Sequence, residues 1–454
     1  MSTHRKFSPL HSHRATRGAV LVMVLWIVFG LVALTLYFAN SMSSELRAAD
    51  NRVAQIAAEE AVAGGARYVE FILSQFAVNG AVPVATDYSA EAVPVGDCYF
   101  WIIGRDPNLE LTDQPFFGIV DESSKINLKN ASQSMLESLP GMTPEFAAAI
   151  LDWHDTDSNP REGGAEDDVY ARLDPPRLCK NAAFETVDEL RLVYGSTLDL
   201  LYGEDGNRNG VLDRNEDDGE QSLPFDDRNG VLNPGLFEYV TVYSAQPNTR
   251  SDGSRRVNVT DSTEQGRQRL RRVLSDKLNP GRADEIINRI GNIALTSVLE
   301  FIVLARLTAE EYAQIRTDIS ASASATVSGL INVATASETV LASIPGIGPE
   351  KAPSIIAYRQ ANPDNLASLV WVAEVLGDSD ARRAGRYLTD QSYLFSADIA
   401  AVGRSGRGYA RVKFVFDMSK GKPRIVYRQD LSALGWGLGA TVRETLKQAK
   451  ETWQ

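Results

Sequence analysis

An uninterrupted apolar segment near the N terminus constrains this chain more than any other feature. Residues 19–39 read AVLVMVLWIVFGLVALTLYFA and carry no charge. A helix of this length can cross the hydrocarbon core of a bilayer, which is about 30 Å thick. The segment is also longer than the apolar core of a cleaved secretory signal, which is about 7–15 residues. Basic residues precede it and Glu45 follows it, so the positive-inside rule predicts a single-pass anchor with the following residues outside the cytoplasm.

The helical pattern continues beyond the apolar segment. To about Phe76 the chain keeps strong helix formers and an alanine-rich stripe, and it contains no proline. We therefore expect one long helix that begins in the membrane and ends outside it. An ordinary anchor followed by a separate amphipathic helix is the alternative.

The net charge and the histidine and cysteine content restrict the classes of function that the rest of the chain can have. The formal net charge is -13, and the basic residues of the first 18 positions make the remainder more acidic still, which disfavours nucleic acid as a partner. His154 is the only histidine outside those 18 positions, so a multi-histidine zinc site is excluded and a catalytic triad would need His154. We predict that the protein is not an enzyme. Cys98 and Cys179 are either bridged or two separate thiols.

Period-two alternation of apolar residues predicts strands on both sides of a long helical region. We expect an α+β fold in which an antiparallel sheet lies on the lower half of the long helix, with a helical domain inserted between its strands. The predicted strands lie in GDCYFWIIGRD (96–106) and PFFGIVDESSK (115–125) before the insert, and in SYLFSADIAAVG (392–403), GYARVKFVFDM (408–418) and PRIVYRQDLSA (423–433) after it.

Two stretches of the helical region repeat each other. INLKNASQSMLESLPGMTPEFAAAILDW begins at Ile126, INVATASETVLASIPGIGPEKAPSIIAYR begins at Ile331, and a weaker third copy begins at Val257. Each runs from an asparagine-led cap through a short helix and a turn to a second helix, and the set looks like helix-hairpin-helix motifs. In DNA-binding proteins such hairpins offer backbone amides to a phosphate. The acidic composition favours the other interpretation, a compact packing unit.

The stretch EDGNRNGVLDRNE, residues 204–216, matches the calcium loop of EF-hands. Glycine stands at position 6, where the loop turns sharply, and the final glutamate can bind bidentately. No good helix former follows, so we predict a structural Ca²⁺ rather than a sensor. A surface loop rich in Asn, Asp and Gly is the alternative. The predicted ligands are Asp205, Asn207, Asn209, the carbonyl of Val211, Asp213 and Glu216.

Two further acidic stretches resemble ion sites less completely. FDDRNGVLNPG, from Phe225, is a half-copy of the loop without the first aspartate; Asp227 and Asn229 would either complete a site or cap a turn. DWHDTDSNPREGGAEDDVY, from Asp152, has alternating ligand spacing but no glycine at the sixth position. Its candidate ligands for a second metal site are Asp155, Asp157, Asn159, Glu166 and Asp168.

The N-terminal junction RATRGAVLVMVLW resembles a type III signal, in which prepilin peptidase cuts between Gly18 and Ala19. Most pilins carry glutamate at the fifth mature position, whereas Met23 stands there in this chain. The K-type minor pseudopilins of the type II (general) secretion pathway characteristically lack this glutamate. A subunit at the top of a filament has no neighbour above it, so the charge would be without a partner and costly to bury.

The body of the chain resembles the same K-type family. The segments KINLKNAS, LPGM, AAILDWHDTDSNP, GAEDDVY, KNAAFETVDELRLV, LYGEDGNRNGVLDRNEDDG and LFEYVTVYS occur in the family's order. The resemblance implies a pilin-like fold, calcium in the inserted domain, and methylation of the processed N terminus. The expected divisions are a leader at 1–18, the transmembrane half of the helix at 19–39, its remainder with the first strands at 40–120, the insert at 121–390, and the last strands with a terminal helix at 391–454.

The resemblance also implies a function and partners. We expect a non-enzymatic subunit at the tip of the periplasmic pseudopilus, anchored in the inner membrane before processing. Its partners would be other minor pseudopilins, prepilin peptidase and the inner-membrane assembly platform. A pseudopilin-like DNA-uptake protein that binds DNA through its hairpins is the alternative.

Overall fold

The computed structural model describes residues 16–108, 114–250, 252–403 and 406–452. Most of the predicted leader, residues 1–15, lies outside the described residues. The α-helices are α1 (Thr16–Phe76), α2 (Gln133–Glu137), α3 (Pro144–His154), α4 (Asp167–Tyr170), α5 (Leu198–Tyr202), α6 (Glu264–Lys277), α7 (Pro280–Ile290), α8 (Val298–Ala305), α9 (Ala309–Ile315), α10 (Glu338–Ala342), α11 (Gly348–Ala361), α12 (Val370–Leu376), α13 (Asp378–Ala384) and α14 (Gly439–Thr452).

Most of the strands are short. They are β1 (Val93–Val95), β2 (Cys98–Ile103), β3 (Val120–Asp121), β4 (Ile126–Asn127), β5 (Val240–Thr241), β6 (Ala245–Pro247), β7 (Val257–Asn258), β8 (Ile319–Ser320), β9 (Thr326–Ser328), β10 (Ile331–Asn332), β11 (Leu388–Thr389), β12 (Leu394–Gly403), β13 (Tyr409–Asp417) and β14 (Arg424–Asp430).

The long helix is continuous, as predicted, and has two parts with different surroundings. α1 is 61 residues long and ends at Phe76. Side chains at 19–40 are all exposed, and this part is long and apolar enough to cross a membrane. From Ala58 to Leu73 one face is buried against the sheet. The first part therefore has no partner among the described residues, whereas the second part belongs to the core.

The sheet joins the chain before the helical region to the chain after it. Its order is β1-β2-β12-β13-β14, all antiparallel, and β3 also pairs with β12. Every segment predicted to contain a strand supplies one. The mixed fold with a long N-terminal helix and an antiparallel sheet is thereby confirmed.

Alternation along β2 decides which side chains face each side of the sheet, because successive residues of a strand point to opposite faces. Phe100 and Ile102 pack against α1. Trp101 and Ile103 lie in a second cluster with Val442 of α14. The sheet is therefore covered on one face by the long helix, while the C-terminal helix covers part of the other face and the helical region contacts the rest.

The helices between β3 and β12 include three similar units. Each begins with a two-residue strand that pairs in parallel with a later one: β4 with β5, β7 with β8, and β10 with β11. In each, an asparagine Oδ1 accepts a hydrogen bond from the backbone N–H two residues later at 3.0 Å; these are Asn127, Asn258 and Asn332. A hydroxyl then caps the first helix: Ser132, Thr263 and Ser337. The copy that begins at Val257 shares this local structure, and its interpretation as a helix-hairpin-helix motif stays a prediction.

The two cysteines are separate buried thiols. Cys98 lies in the core between α1 and the sheet, and Cys179 lies in the core of the helical region. Of the alternatives left open by the sequence, the structure has two free cysteines.

Candidate metal centre

The predicted calcium loop, residues 204–216, begins just after α5. Its base is closed by backbone contacts: Gly203 bridges to Pro234, and the N–H of Glu204 donates to the carbonyl of Asn233 at 2.8 Å. Gly203 has φ +58°, and a Cβ there would lie 2.1 Å from the Asn233 oxygen. Only glycine therefore fits this closure.

The structure places the predicted side-chain ligands in one turn. Asp205 accepts hydrogen bonds from the N–H groups of Asn209 and Gly210, both at 2.9 Å. The Glu216 carboxylate accepts from the N–H groups of Gly206 and Asp213, both at 3.1 Å. These hydrogen bonds hold the first and last predicted ligands in the same turn.

The asparagines of the loop complete the cluster. The side-chain amides of Asn207 and Asn209 donate to Asp213 Oδ2 at 2.7 and 3.0 Å. The Oδ1 of Asn209 accepts from the N–H of Val211 at 2.8 Å, and Val211 is buried. All six predicted ligands thus belong to one compact turn, whose glycine at position 6, Gly210, has φ +73°.

Burial makes the negative charge in this loop costly. Asp205 is 4% exposed and Glu216 is 1% exposed. Burial, and next the negative charge of Asp205, raises the pKa of Glu216 to about 8. Burial also raises the pKa of Asp205, although Arg105 acts in the opposite direction. Oxygen ligands and excess negative charge are what a bound Ca²⁺ requires, so the residues present fit this ion.

Nothing in the described chain forms the second helix of an EF-hand. Glu216 ends a short 3₁₀ turn, Arg214–Glu216. The next α-helix among the described residues is α6, which begins at Glu264. Because a sensor needs a pair of helices that can open, the geometry suits a static ion.

Two arginines, one on the sheet and one just after a strand of it, contact the backbone of the predicted calcium loop. The sequence did not predict either contact. Arg411 donates to the carbonyls of Asn207 and Arg208 at 2.6 and 3.0 Å. Arg105 donates to the carbonyl of Asn209 at 3.0 Å. The only sequence signal is an arginine within or beside a predicted strand, which does not indicate a partner that lies 104 residues away for Arg105 and 204 residues away for Arg411.

The second predicted cluster forms in part. One carboxylate oxygen each from Asp155, Asp157 and Glu166 lies within 4.8 Å of the others. Asn159 is exposed and donates to Asp157 Oδ1 at 2.8 and 3.0 Å. Asp168 does not join the cluster, because its side chain is 65% exposed and pairs with an arginine four residues along the same turn.

Glu166 shows why a cation would suit this second cluster. It is 2% exposed, and neither carboxylate oxygen accepts an N–H or O–H hydrogen bond. The neighbouring thiol of Cys179 is only a weak donor. Burial, followed by the charges of Asp152 and Asp155, raises the pKa of Glu166. A buried carboxylate without a partner is unfavourable unless a cation neutralises it.

The half-copy loop repeats the turn of the first loop. Gly230 has φ +73°, the value found at Gly210. Phe225 stands where the first aspartate belongs, and Asp217 from the preceding segment accepts the hydrogen bond of the Gly230 N–H at 3.2 Å. Asp227 and Asn229 are exposed and bonded to nearby backbone. In this structure they cap a turn.

The region that precedes the predicted calcium loop is similar to a family of known proteins. Residues 120–202, which contain β3, β4 and helices α2 to α5, match the family model described as type II secretion system (T2SS), protein K. The predicted relationship to the K-type family is confirmed. This matched region includes the second acidic cluster and ends immediately before the calcium loop.

Two curated members of the K-type family match short stretches of the chain. Over 56 residues it is 46% identical to type II secretion system protein K of Pectobacterium carotovorum subsp. carotovorum, which covers 12% of this chain and 17% of that protein. Over 60 residues it is 42% identical to type II secretion system protein K of Klebsiella pneumoniae, which covers 13% of this chain and 18% of that protein. The matches therefore span less than a fifth of either relative.

One solved structure aligns with most of the chain. The GspK-GspI-GspJ complex from the enterotoxigenic Escherichia coli type 2 secretion system aligns over 82% of this chain and 95% of that chain. The identity is 10% and the TM-score is 0.38. At this TM-score the alignment supports no conclusion about this chain.

Proposed function

We propose that this protein is a minor pseudopilin of the type II secretion pathway that caps the tip of the periplasmic pseudopilus. It takes part in pseudopilus assembly, and thereby in protein secretion across the outer membrane, without catalysing a reaction. The observation that carries the proposal is the two-part helix α1, exposed and apolar at 19–40 and packed on a sheet from Ala58. The family match at 120–202 supports the K-type assignment.

Each part of α1 has its own role in this proposal. Before processing, the exposed part anchors the protein in the inner membrane with the bulk of the chain in the periplasm. After prepilin peptidase has cut the leader, the same surface packs against the helices of other minor pseudopilins at the assembly platform. The helical region between β3 and β12 obstructs the addition of a subunit above, which suits a tip position.

Processing at the N terminus gives the direct test of this function. When the full chain is expressed with an active prepilin peptidase, intact-mass spectrometry should find a mature protein that begins at Ala19, with a methylated amino group. Gly18→Leu should leave the leader attached, because the peptidase must fit the residue before the cut. Gly30→Ala is the matched control, since no neighbouring atom lies within 4 Å of a Cβ there. A wild-type chain that keeps its leader in cells that process other prepilins would rule out the proposal.

We further propose that this protein binds Ca²⁺ as a structural ion. At residues 204–216 the ion would be held by Asp205, Asn207, Asn209, the Val211 carbonyl, Asp213 and Glu216. It would supply positive charge that keeps the buried carboxylates in one turn. A second ion would be held by Asp155, Asp157 and Glu166, the carboxylates that the structure brings within 4.8 Å.

If the second cluster binds an ion, one substitution there should change the melting temperature in opposite directions with and without Ca²⁺. In EGTA, Glu166→Gln should raise the melting temperature, because it removes a buried charge that has no N–H or O–H hydrogen bond. In millimolar Ca²⁺ the same substitution should lower it, because an ion ligand is lost. Differential scanning fluorimetry of the detergent-solubilised full chain measures both. Glu162→Gln, at an exposed position nearby, is the control; equal shifts in both conditions would contradict an ion at Glu166.

The hairpin geometry supports packing over DNA binding. In the copy that begins at Ile331, a Cβ on Gly346 would lie 2.9 Å from the backbone of Asp380 and Ala384, so this turn is packed against α13. Of the two basic residues of this hairpin, Lys351 is paired with Asp380, and Arg359 is buried with its guanidinium bonded to backbone carbonyls. These contacts occupy groups that a phosphate would require.

A further inference from the structure

We propose that the calcium loop, residues 204–216, docks the helical region on the sheet, and that cation binding tightens this docking through Arg105 and Arg411. The inference rests on the proposed Ca²⁺ site at this loop and goes beyond it, since it concerns what the loop contacts. Arg105 and Arg411 are positioning residues in this proposal, because they bind the loop backbone and not the ion.

Arg411 is held in the sheet before it reaches the loop. It lies on β13, is fully buried, and makes an ion pair of 2.6 Å with Asp398 on the adjacent strand β12. Its Nε also bonds both Asp398 oxygens, at 3.0 and 3.1 Å. The guanidinium is therefore fixed by the sheet, and its remaining donors point at the carbonyls of Asn207 and Arg208.

Arg105 approaches the same segment from the end of β2. Its Nε donates to Glu238 at 3.0 Å, and its terminal nitrogens donate to the carbonyls of Asn209 and Arg208 at 3.0 and 3.4 Å. Together the two arginines bind the carbonyls of three consecutive residues. These residues occupy the third to fifth positions of the loop. The side chains of Asn207 and Asn209 contact Asp213 in the predicted ion site, whereas the Arg208 side chain lies over the Phe237 ring, and all three carbonyls accept hydrogen bonds from the two arginines.

This arrangement couples ion binding to docking. With a cation bound, the carboxylates of the loop are drawn together and the three carbonyls keep the spacing that the fixed guanidinium groups require. Without a cation, no positive charge holds the buried carboxyl groups together, so the loop relaxes and its charge-assisted hydrogen bonds to the arginines weaken. Thermodynamic linkage requires the reverse effect as well: contacts that favour the docked loop must raise its affinity for the cation.

The contacts of the two arginines lie beside a cavity between the loop and the sheet. Its volume is about 60 Å³, and its lining includes charged side chains such as Arg105 and Lys413 as well as apolar ones such as Leu201 and Phe237. Arg105 also lies 3.7 Å from Asp205 Oδ2. Because the cavity leaves part of this interface unpacked, the hydrogen bonds of the two arginines contribute directly to docking.

The test uses the detergent-solubilised full chain with Tb³⁺ as a luminescent stand-in for Ca²⁺. Trp436 can sensitise Tb³⁺, because its carbonyl lies 3.5 Å from the side-chain nitrogen of Asn207. Hydrogen exchange of peptides that cover 101–108 and 431–438 reports docking. In wild type, Ca²⁺ should slow this exchange about tenfold relative to EGTA. In Arg411→Lys, which keeps the charge near Asp398 but loses the planar fork, the difference should fall below about twofold, and Tb³⁺ affinity should fall about fivefold or more.

Controls separate this proposal from the proposed site itself. Arg424→Lys, an exposed arginine on β14, should behave as wild type. If Arg411→Lys does not fold, Arg105→Lys provides the same comparison at a less buried side chain. Tb³⁺ binding without calcium-dependent protection outside 204–216 would overturn the coupling and leave the site intact. Protection in Arg411→Lys equal to wild type would also overturn it, and absence of Tb³⁺ binding in wild type would overturn both.

Discussion

Replacing Asp205 and Glu216 together with alanine is expected to reduce the rise in melting temperature that Ca²⁺ confers on the protein, leaving only the part contributed by the second cluster. The two residues are the first and last ligands of the loop and are almost fully buried. An ion that binds only the folded state stabilises it by about 2.7 kcal/mol when its concentration is a hundred times the dissociation constant. Scanning calorimetry of the detergent-solubilised full chain, in millimolar Ca²⁺ and in EGTA, measures the difference.

A matched control removes the same charge elsewhere. Glu162 and Glu220 are exposed and lie outside the predicted ligand sets, so their double alanine variant should keep the full calcium-dependent increase. If the Asp205 and Glu216 variant keeps it too, residues 204–216 are a surface loop without an ion. In that case the docking proposal also fails.

Phe100→Ala is expected to lower the free energy of unfolding by about 3–5 kcal/mol, the usual cost of removing a buried aromatic side chain. Phe100 is 0% exposed, lies in the cluster between α1 and the sheet, and makes an edge contact with Tyr68 of α1 at 5.7 Å. Its loss leaves a cavity where the long helix joins the sheet. Chemical denaturation followed by circular dichroism measures the change.

The control for this variant is Ile56→Ala on the same helix. Ile56 is 54% exposed, so its truncation should cost less than about 1 kcal/mol, as is usual for surface positions. A similar small loss for Phe100→Ala would mean that α1 is not held on the sheet by this cluster. The predicted division of α1 into an anchoring part and a packed part would then be wrong.

Features with a local periodic signal were predictable from the sequence. The apolar residues at 19–39 predicted the exposed first part of α1, and alternation around Phe100 and Val412 predicted strands that the structure contains. The turn at 204–216 was predictable for the same reason, and its binding of Ca²⁺ stays a prediction. Its ligands lie within a few residues of one another, so their spacing in sequence determines their spacing in the turn.

Features that depend on chain folding were not predictable. Asp168 has the right side chain near the second cluster, yet its place on the turn of α4 directs it to solvent. Glu166, only two residues earlier, is buried with Asp155 and Asp157. Spacing alone did not distinguish these two carboxylates, because the path of the chain between Asp157 and Glu166 decides which of them turns inward.

The sequence by itself determined a membrane-length helix, the strands of an antiparallel sheet on both sides of a helical region, a repeated segment and a turn with the ligand spacing of a calcium loop. Each of these follows from the order of neighbouring residues. Only the tertiary structure decided that α14 packs on part of the sheet face opposite α1 and that Arg105 and Arg411 bind the backbone carbonyls of residues 207–209. Those contacts join residues that are far apart in the chain. Every residue has the same backbone carbonyl, so the sequence does not indicate which side chain will bind it.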